Sequence, residues 1–327
     1  MTAMETVTAI EQLKDINIDE AVWGRARKAR SDAGRGGLVR FYLPSFKKYS
    51  TSEIDNKCAN SSFPAISLTG KKCKLMCDHC QGKLLLSMKP AATPGELMET
   101  ARAAFSGGAE GILISGGSDE ENRIPFEPFL SAIARIKSTT GLTVAVHTGL
   151  IDRKTANGLA DAGVDTAMID IIGADETIRS VYHLDKTVED FEESLKNLCE
   201  TSMKVAPHIV AGLHYGKFLG ERTAMEIVAR HDTASLVIVV CVPYHAKDRT
   251  MFPAPSSREV GSFMAECRQT MPGRELILGC ARPGGAGGSE IDAYALAAGF
   301  DCIAFPADGI VSAAENMGMN TEAHYSC

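Results

Sequence analysis

No stretch of this chain stays hydrophobic for long. The longest aliphatic run, LVIVVCV at 236–242, is far short of the roughly 20 residues that cross a bilayer as a helix, so no membrane span is expected. The opening residues, MTAMETVTAIEQLKD, carry neither a basic segment nor an apolar one behind it, and a secretory leader is not expected either. Low-complexity tracts are missing, and so is the Gly-rich turn of a dinucleotide site: LTGKKCK follows the first strand-like run instead. Cysteine is too sparse for a disulfide scaffold, at ten in 327 residues. These absences point to a soluble, cytoplasmic protein, in which clustered cysteines imply metal or redox chemistry.

What is present is globular: 45% hydrophobic and 23% charged residues, enough apolar material for a large core. The net charge of −7 is unevenly spread, because Arg25, Arg27, Lys28, Arg30, Arg35, Arg40, Lys47 and Lys48 are opposed only by Asp32 over residues 24–48. That segment reads either as a solvated helix face or as a docking patch for an acidic partner. Nucleic acid fits less well, since the acidic remainder would oppose a phosphate track.

From residue 65 onward, short aliphatic runs alternate with helix-length amphipathic stretches. The strand candidates are 65–69, 111–115, 143–147, 166–172, 204–210, 236–242, 275–280 and 302–307. Near-continuous apolar strands separated by helices indicate parallel β/α units. Eight of them predict an α/β fold, a (β/α)8 TIM-type barrel with an N-terminal helical extension. The expected layout is an extension over 1–60, helical and basic at 24–48, a barrel over 61–318, and a tail over 319–327 folding towards the barrel mouth. Barrel chemistry sits at the C-terminal ends of strands. Polar or Gly-rich segments stand at those places: SGGSDE, HTG, GADE, AGLHYG, VPYH and CARPGGAGG.

The sharpest feature follows the first strand directly. KKCKLMCDHCQGK (71–83) places Cys73, Cys77 and Cys80 at spacings of four and three. Thiolates suit iron–sulfur clusters, and three of them leave a fourth iron without a protein ligand, the open position that metal catalysis needs. The alternative is a zinc site completed by His79 or a distant side chain. Three dispersed cysteines offer a second site: Cys58 before strand one, Cys280 ending strand seven, and Cys327 at the terminus. Converging at the mouth they could hold an auxiliary 4Fe–4S cluster, with Cys241 or Ser326 as a fourth ligand; each is otherwise an inert thiol. Cys302 begins a strand and belongs to the wrong end. Cys199 and Cys267 read as buried apolar residues of helices. His147, His208, His214 and His245 lie near strand ends and read as core or rim histidines.

The cysteine triad after the first strand of a β/α barrel resembles the signature of the radical S-adenosylmethionine (SAM) superfamily. The resemblance implies a 4Fe–4S cluster on Cys73, Cys77 and Cys80, with SAM chelating the open iron and yielding a 5′-deoxyadenosyl radical on one-electron reduction. His79 stands where that family commonly packs an aromatic residue near the adenine. Ser115, Gly116 and Gly117 resemble its glycine-rich edge at the methionine amino group, where glycine lets the main chain approach closely. Asp170 matches a ribose-contacting position, and HIVAGLHYG resembles the stretch passing the adenine, with Gly212 nearest.

A longer resemblance spans the chain from about residue 40. FYLPSFKKYS, FPAISLTGKKCKLMCDHCQGKLL, LILGCARPGG and EIDAYALAAGFDCIAFP are similar to biotin-synthase-related radical SAM proteins, among them the two-protein lipoyl synthases. That implies sulfur insertion into an octanoyl chain on a lysine of an acidic lipoyl-carrier domain, which the basic segment would attract. It further implies an auxiliary cluster as sulfur donor, a paralogous radical SAM partner protein, and a reductant such as ferredoxin or flavodoxin. The N-terminal three-cysteine motif and C-terminal Arg-Ser-Ser-Tyr segment of single-protein lipoyl synthases are absent. Arg282 is expected as a cation lining the site. The alternatives are a biotin synthase-like or other radical SAM enzyme on another substrate, and a zinc-stabilised scaffold without catalysis.

Overall fold

The structure is a computed structural model and describes residues 20–43, 49–54 and 62–324. Its strands are β1 (Leu38–Tyr42), β2 (Ala65–Ser67), β3 (Lys89–Pro90), β4 (Gly111–Ser115), β5 (Thr143–Thr148), β6 (Thr166–Asp170), β7 (Lys204–Ala211), β8 (Ser235–Val240), β9 (Glu275–Leu278), β10 (Cys302–Ala304) and β11 (Asn320–His324). They form one 11-stranded sheet in the order β11-β1-β10-β9-β8-β7-β6-β5-β4-β2-β3, with every pairing parallel. The eight strands expected from the sequence are β2 and β4 to β10, each next to its successor as in a barrel. Their apolar residues are buried on both faces because helices cover the outside.

Three strands lie beyond the expected eight: the two-residue β3, which edges the sheet beside β2, and β1 and β11. The N-terminal extension, expected to be helical, contains β1, whose Val39 and Phe41 are buried while Leu38, Arg40 and Tyr42 are half-buried. Five residues of period-two alternation are too few to stand out in a sequence, and burial against β10 is what makes them a strand. The tail strand β11, NTEAH, has almost no apolar residue to announce it. It is an edge strand held by its register on β1, from Leu38↔Asn320 to Tyr42↔His324. Being parallel, it carries the chain towards the C-terminal ends of the other strands. Among the described residues the ladder therefore continues from β10 into β1 and β11, and it does not close back onto β2. The result is a curled sheet, a half-barrel, with a TIM-type order of units.

The helix Glu20–Asp32 confirms the helical character expected ahead of the barrel. Its Trp23 ring stacks on Tyr294 with centroids 5.2 Å apart, and such an aromatic pair adds about 0.5–1.5 kcal/mol beyond its burial. Several cations of this helix and of the segment after it are engaged in ion pairs. Lys28 pairs with Asp32, Arg30 and Arg35 with Asp301, and Arg40 with Glu275. Glu275 opens β9 and Asp301 immediately precedes β10, so the last three pairs lie at the end of the sheet away from the cysteine loop. Arg268, fully buried, completes the cluster with a 2.6 Å bond to Asp301. Buried charges need such partners, and these cations serve the fold; Lys47 and Lys48 lie outside the described residues. No described helix is long and apolar enough to cross a membrane.

Candidate active site at the C-terminal ends of the strands

The loop after β2 is tied down before it reaches the cysteines. Ser67 Oγ donates to Gly70 O, Thr69 Oγ1 to Lys72 O, and the Gly117 amide to Thr69 Oγ1 at 2.6 Å. Lys74 N then bonds Ser118 O, so the loop is fastened to the SGGS turn after β4. Gly117 is needed for this contact: a Cβ there would stand 2.0 Å from Lys72 O and 2.7 Å from Cys73 Cα. The structure thus gives the second glycine of SGG a packing reason of its own. Ser115 Oγ donates to His147 O, and Gly116 faces the Thr69 side chain.

Cys73, Cys77 and Cys80 all pack on one apolar cluster that includes Leu75, Ile178, Val181, Tyr182, Leu213, Cys241 and Phe252. Met76 and Gln81 adopt left-handed backbone conformations, φ 46° and 50°, uncommon for side-chain-bearing residues and concentrated at functional loops. The Gln81 amide holds the turn by donating to Met76 O and Cys77 O. Ligand atoms of Cys77, His79 and Cys80 lie within 4.8 Å of one another. The Cys77 thiol, hydrogen-bonded to Cys80 and buried, is raised far above the usual range. Cys80 is lowered, chiefly by that same bond and, against burial, by His79. His79 Nδ1 is buried without a hydrogen-bond partner, with its ring 5.2 Å from Tyr182. Three soft thiol donors beside an orphaned imidazole nitrogen are a donor set that fits a metal centre and fits little else.

Asp78, between two of these cysteines, fixes the loop and was not singled out by sequence reasoning. Its buried carboxylate meets His183 Nε2 at 3.0 Å and accepts from Tyr215 Oη at 3.1 Å. Its main chain bonds Val181 O and Lys247 N. Tyr182 was missed as well. Burial first, then the negative groups Asp170, Cys77, Cys80 and Cys241, raise its phenol well above the ordinary value, so one ring marks where these groups converge. The sequence held no signal for either residue beyond their presence in polar loops.

The other expected residues divide. Asp170, at the end of β6, joins His147 and His208 in a second group whose ligand atoms lie within 4.8 Å of one another. Gly212 sits in a turn with φ 75°, where a Cβ would stand 2.8 Å from Pro255, and its amide donates to the buried Glu221. His214 contacts Thr177 and Glu176; His245 lies on the loop after β8. Cys280 is exposed just past β9, while Cys241 is buried beside the cysteine loop, its thiol pushed up to about 12 by burial and by Cys80. Cys58, Ser326 and Cys327 lie outside the described residues. Cys302 begins β10 at the far end, as expected.

Arg282 is corrected from a site-lining cation to a structural one. Its side chain is 6% exposed and pairs with Asp292, and its remaining donors go to Gly279 O, Ala304 O and Phe305 O. A cavity of about 640 Å³ opens beside the cysteine loop, lined by residues such as Thr69, Lys72, Arg123, Thr148 and Asp152. No cysteine lines it, so it does not by itself locate the chemistry.

Residues 67–228 match the model of the Radical SAM superfamily. Among curated proteins, the chain is similar to the biotin synthase of Geotalea daltonii, 30% identical over 196 residues, which cover 59% of this chain and 56% of that one. The biotin synthase of Geobacter metallireducens is 28% identical over 206 residues, covering 62% and 59%. The chain thus matches a little over half the length of these relatives. Two solved structures share the fold. Methylornithine synthase (PylB) has a TM-score of 0.58 at 14% identity, with 95% of this chain and 92% of that one covered. The FeFe-hydrogenase maturase HydG from Carboxydothermus hydrogenoformans has a TM-score of 0.60 at 13% identity, covering 98% and 79%.

Proposed function

Because the chain belongs to the radical SAM superfamily, on its biotin synthase-related branch, we propose that it is a sulfur-inserting enzyme and one component of a two-protein lipoyl synthase. The observation that carries the radical chemistry is the loop itself: three thiols held on one apolar cluster at the C-terminal ends of the strands. Cys73, Cys77 and Cys80 would hold a 4Fe–4S cluster. Bound there, the cluster supplies the one-electron reduction of SAM. This chain's residues do the rest. Asp78 and Gln81 fix the loop, Gly117 lets it seat on the turn after β4, and Leu75, Tyr182 and Phe252 exclude water from the thiols. Ser115, Gly116, Gly117 and Gly212 remain the proposed main-chain surface for SAM, with His79 beside it.

The sulfur-insertion part is supported by the biotin synthases among the relatives, and the lipoyl assignment by the sequence resemblance at both ends of the chain. Cys280, with Cys58 and Cys327, is the proposed holder of an auxiliary sulfur-donating cluster. The same relatives favour a second reading, a biotin synthase-like enzyme on a different small substrate. Anaerobically reconstituted protein with SAM and reductant separates the two. Formation of 5′-deoxyadenosine that rises with an octanoyl-lysine carrier peptide, and further with a partner protein, supports the lipoyl reading. Stimulation by dethiobiotin alone supports the second. Colourless protein carrying zinc and leaving SAM intact would overturn both. About eight irons per chain support two clusters, and about four remove the auxiliary one.

A further inference from the structure

The group formed by His147, Asp170 and His208 is not needed to hold the cysteine cluster. Strand register explains why the three meet. His147 on β5 pairs with Met168 on β6, and Asp170, two residues further along β6, pairs with His208 on β7. With a period of two along each strand, all three side chains point to the same face, near the C-terminal ends. His147 Nε2 stands 3.7 Å from Asp170 Oδ1, and the two imidazole rings meet edge to face with centroids 5.2 Å apart. His208 Nδ1 bonds its own strand's Ala206 O at 3.0 Å. An imidazole donating one nitrogen to a backbone carbonyl keeps the lone pair of the other free and aimed, which is how metal-ligating histidines are oriented.

We propose that His147, Asp170 and His208 form a mononuclear site for a divalent first-row cation. Two imidazoles and one carboxylate from three adjacent strands leave the remaining coordination positions open. An oxygen or sulfur donor of a substrate can complete the shell at those positions. In this reading Asp170 serves the metal, in place of the ribose contact expected from the resemblance. An ordinary hydrogen-bonded histidine pair explains the site less well. No hydrogen bond from a protein donor to the Asp170 carboxylate is present among the described residues, and the 3.7 Å approach of His147 Nε2 is too long to be one.

The test uses the full-length chain in two forms. With the iron–sulfur cluster reconstituted, so that its thiols are occupied, the protein is equilibrated with zinc and freed of excess metal. The expected result is about one zinc per chain, lost in H147Q/H208Q and bound at least about 10–100-fold more weakly in D170N, while cluster iron stays at the parent level and reports an intact fold. The second form is C73S/C77S/C80S titrated with cobalt(II). It is expected to develop d–d bands free of thiolate charge transfer, and the added H147Q/H208Q pair to abolish them. Zinc retention unchanged in H147Q/H208Q, no retention by the parent, or cobalt d–d bands that persist when H147Q/H208Q is added would each overturn the proposal. Failure to cleave SAM would count against the radical reading and leave this result untouched.

Discussion

Replacing Asp78 probes whether its carboxylate holds the cysteine loop. The side chain is 7% exposed, so its hydrogen bonds are made largely out of water. A hydrogen bond to a charged group contributes about 1.5–3 kcal/mol. His183 is 48% exposed, which places its bond at the low end. Tyr215 has one hydroxyl proton and two acceptors, Asp78 Oδ2 at 3.1 Å and Ser180 O at 2.8 Å, so its bond to Asp78 is also partial. Lys247, 65% exposed and 4.0 Å away, adds little. Asp78→Ala should therefore cost about 2–4 kcal/mol. The main-chain bonds to Val181 and Lys247 persist, so the loop loosens rather than unfolds. Asp78→Asn should cost only about 1 kcal/mol, because its carbonyl still accepts from His183 and its amide can donate to Tyr215 Oη, whose proton then turns to Ser180. Denaturant unfolding and iron per chain after anaerobic reconstitution read both effects, with iron retention expected to fall in Ala and to be nearly kept in Asn. If both variants match the parent, the carboxylate does not hold the loop. If Asn is as poor as Ala, the charge rather than the bonding geometry matters, and the reasoning above is wrong.

Gly117→Ala should displace the loop, since its Cβ would strike main-chain atoms of Lys72 and Cys73, at a cost of about 1–3 kcal/mol and with reduced iron retention. Gly116→Ala is the control, because its nearest neighbour is a side-chain oxygen at 3.3 Å, and equal losses in the two would refute the close-approach argument. Arg282→Ala should lower global stability by about 3–5 kcal/mol by leaving Asp292 buried and unpaired; a variant with parent stability but altered substrate response would restore Arg282 to the site. Glu192 gives a pH signature. Burial acts to raise its carboxyl, but the bonds from Arg230 and His231 outweigh it and hold it below the ordinary value. A lowered folded-state pKa stabilises above the ordinary glutamate pKa of about 4.3, and that contribution is lost as pH falls through the lowered value. Glu192→Gln should therefore melt below the parent at pH 7, with the gap closing as the pH falls below the ordinary glutamate range; a gap that persists in acid would contradict the linkage.

Much of this protein was legible in its sequence. Eight aliphatic runs became eight adjacent parallel strands, because a strand buried on both faces must be apolar throughout, and composition alone shows that. The cysteine loop was legible because metal ligands are confined to a few residue types at short spacing. Tertiary structure alone decided the rest, since it depends on residues far apart in the chain. β1 and β11 became strands only by pairing with each other and with β10, and their register carries the tail towards the strand ends. Arg30, Arg35 and Arg40 read in sequence as part of one basic segment, and only the fold sets Asp301 and Glu275 opposite them. Arg282 looked like a site residue until three carbonyls and Asp292 enclosed it. The meeting of His147, Asp170 and His208 follows from strand register, which no local pattern records: residues 61 positions apart share one face because β5, β6 and β7 lie side by side.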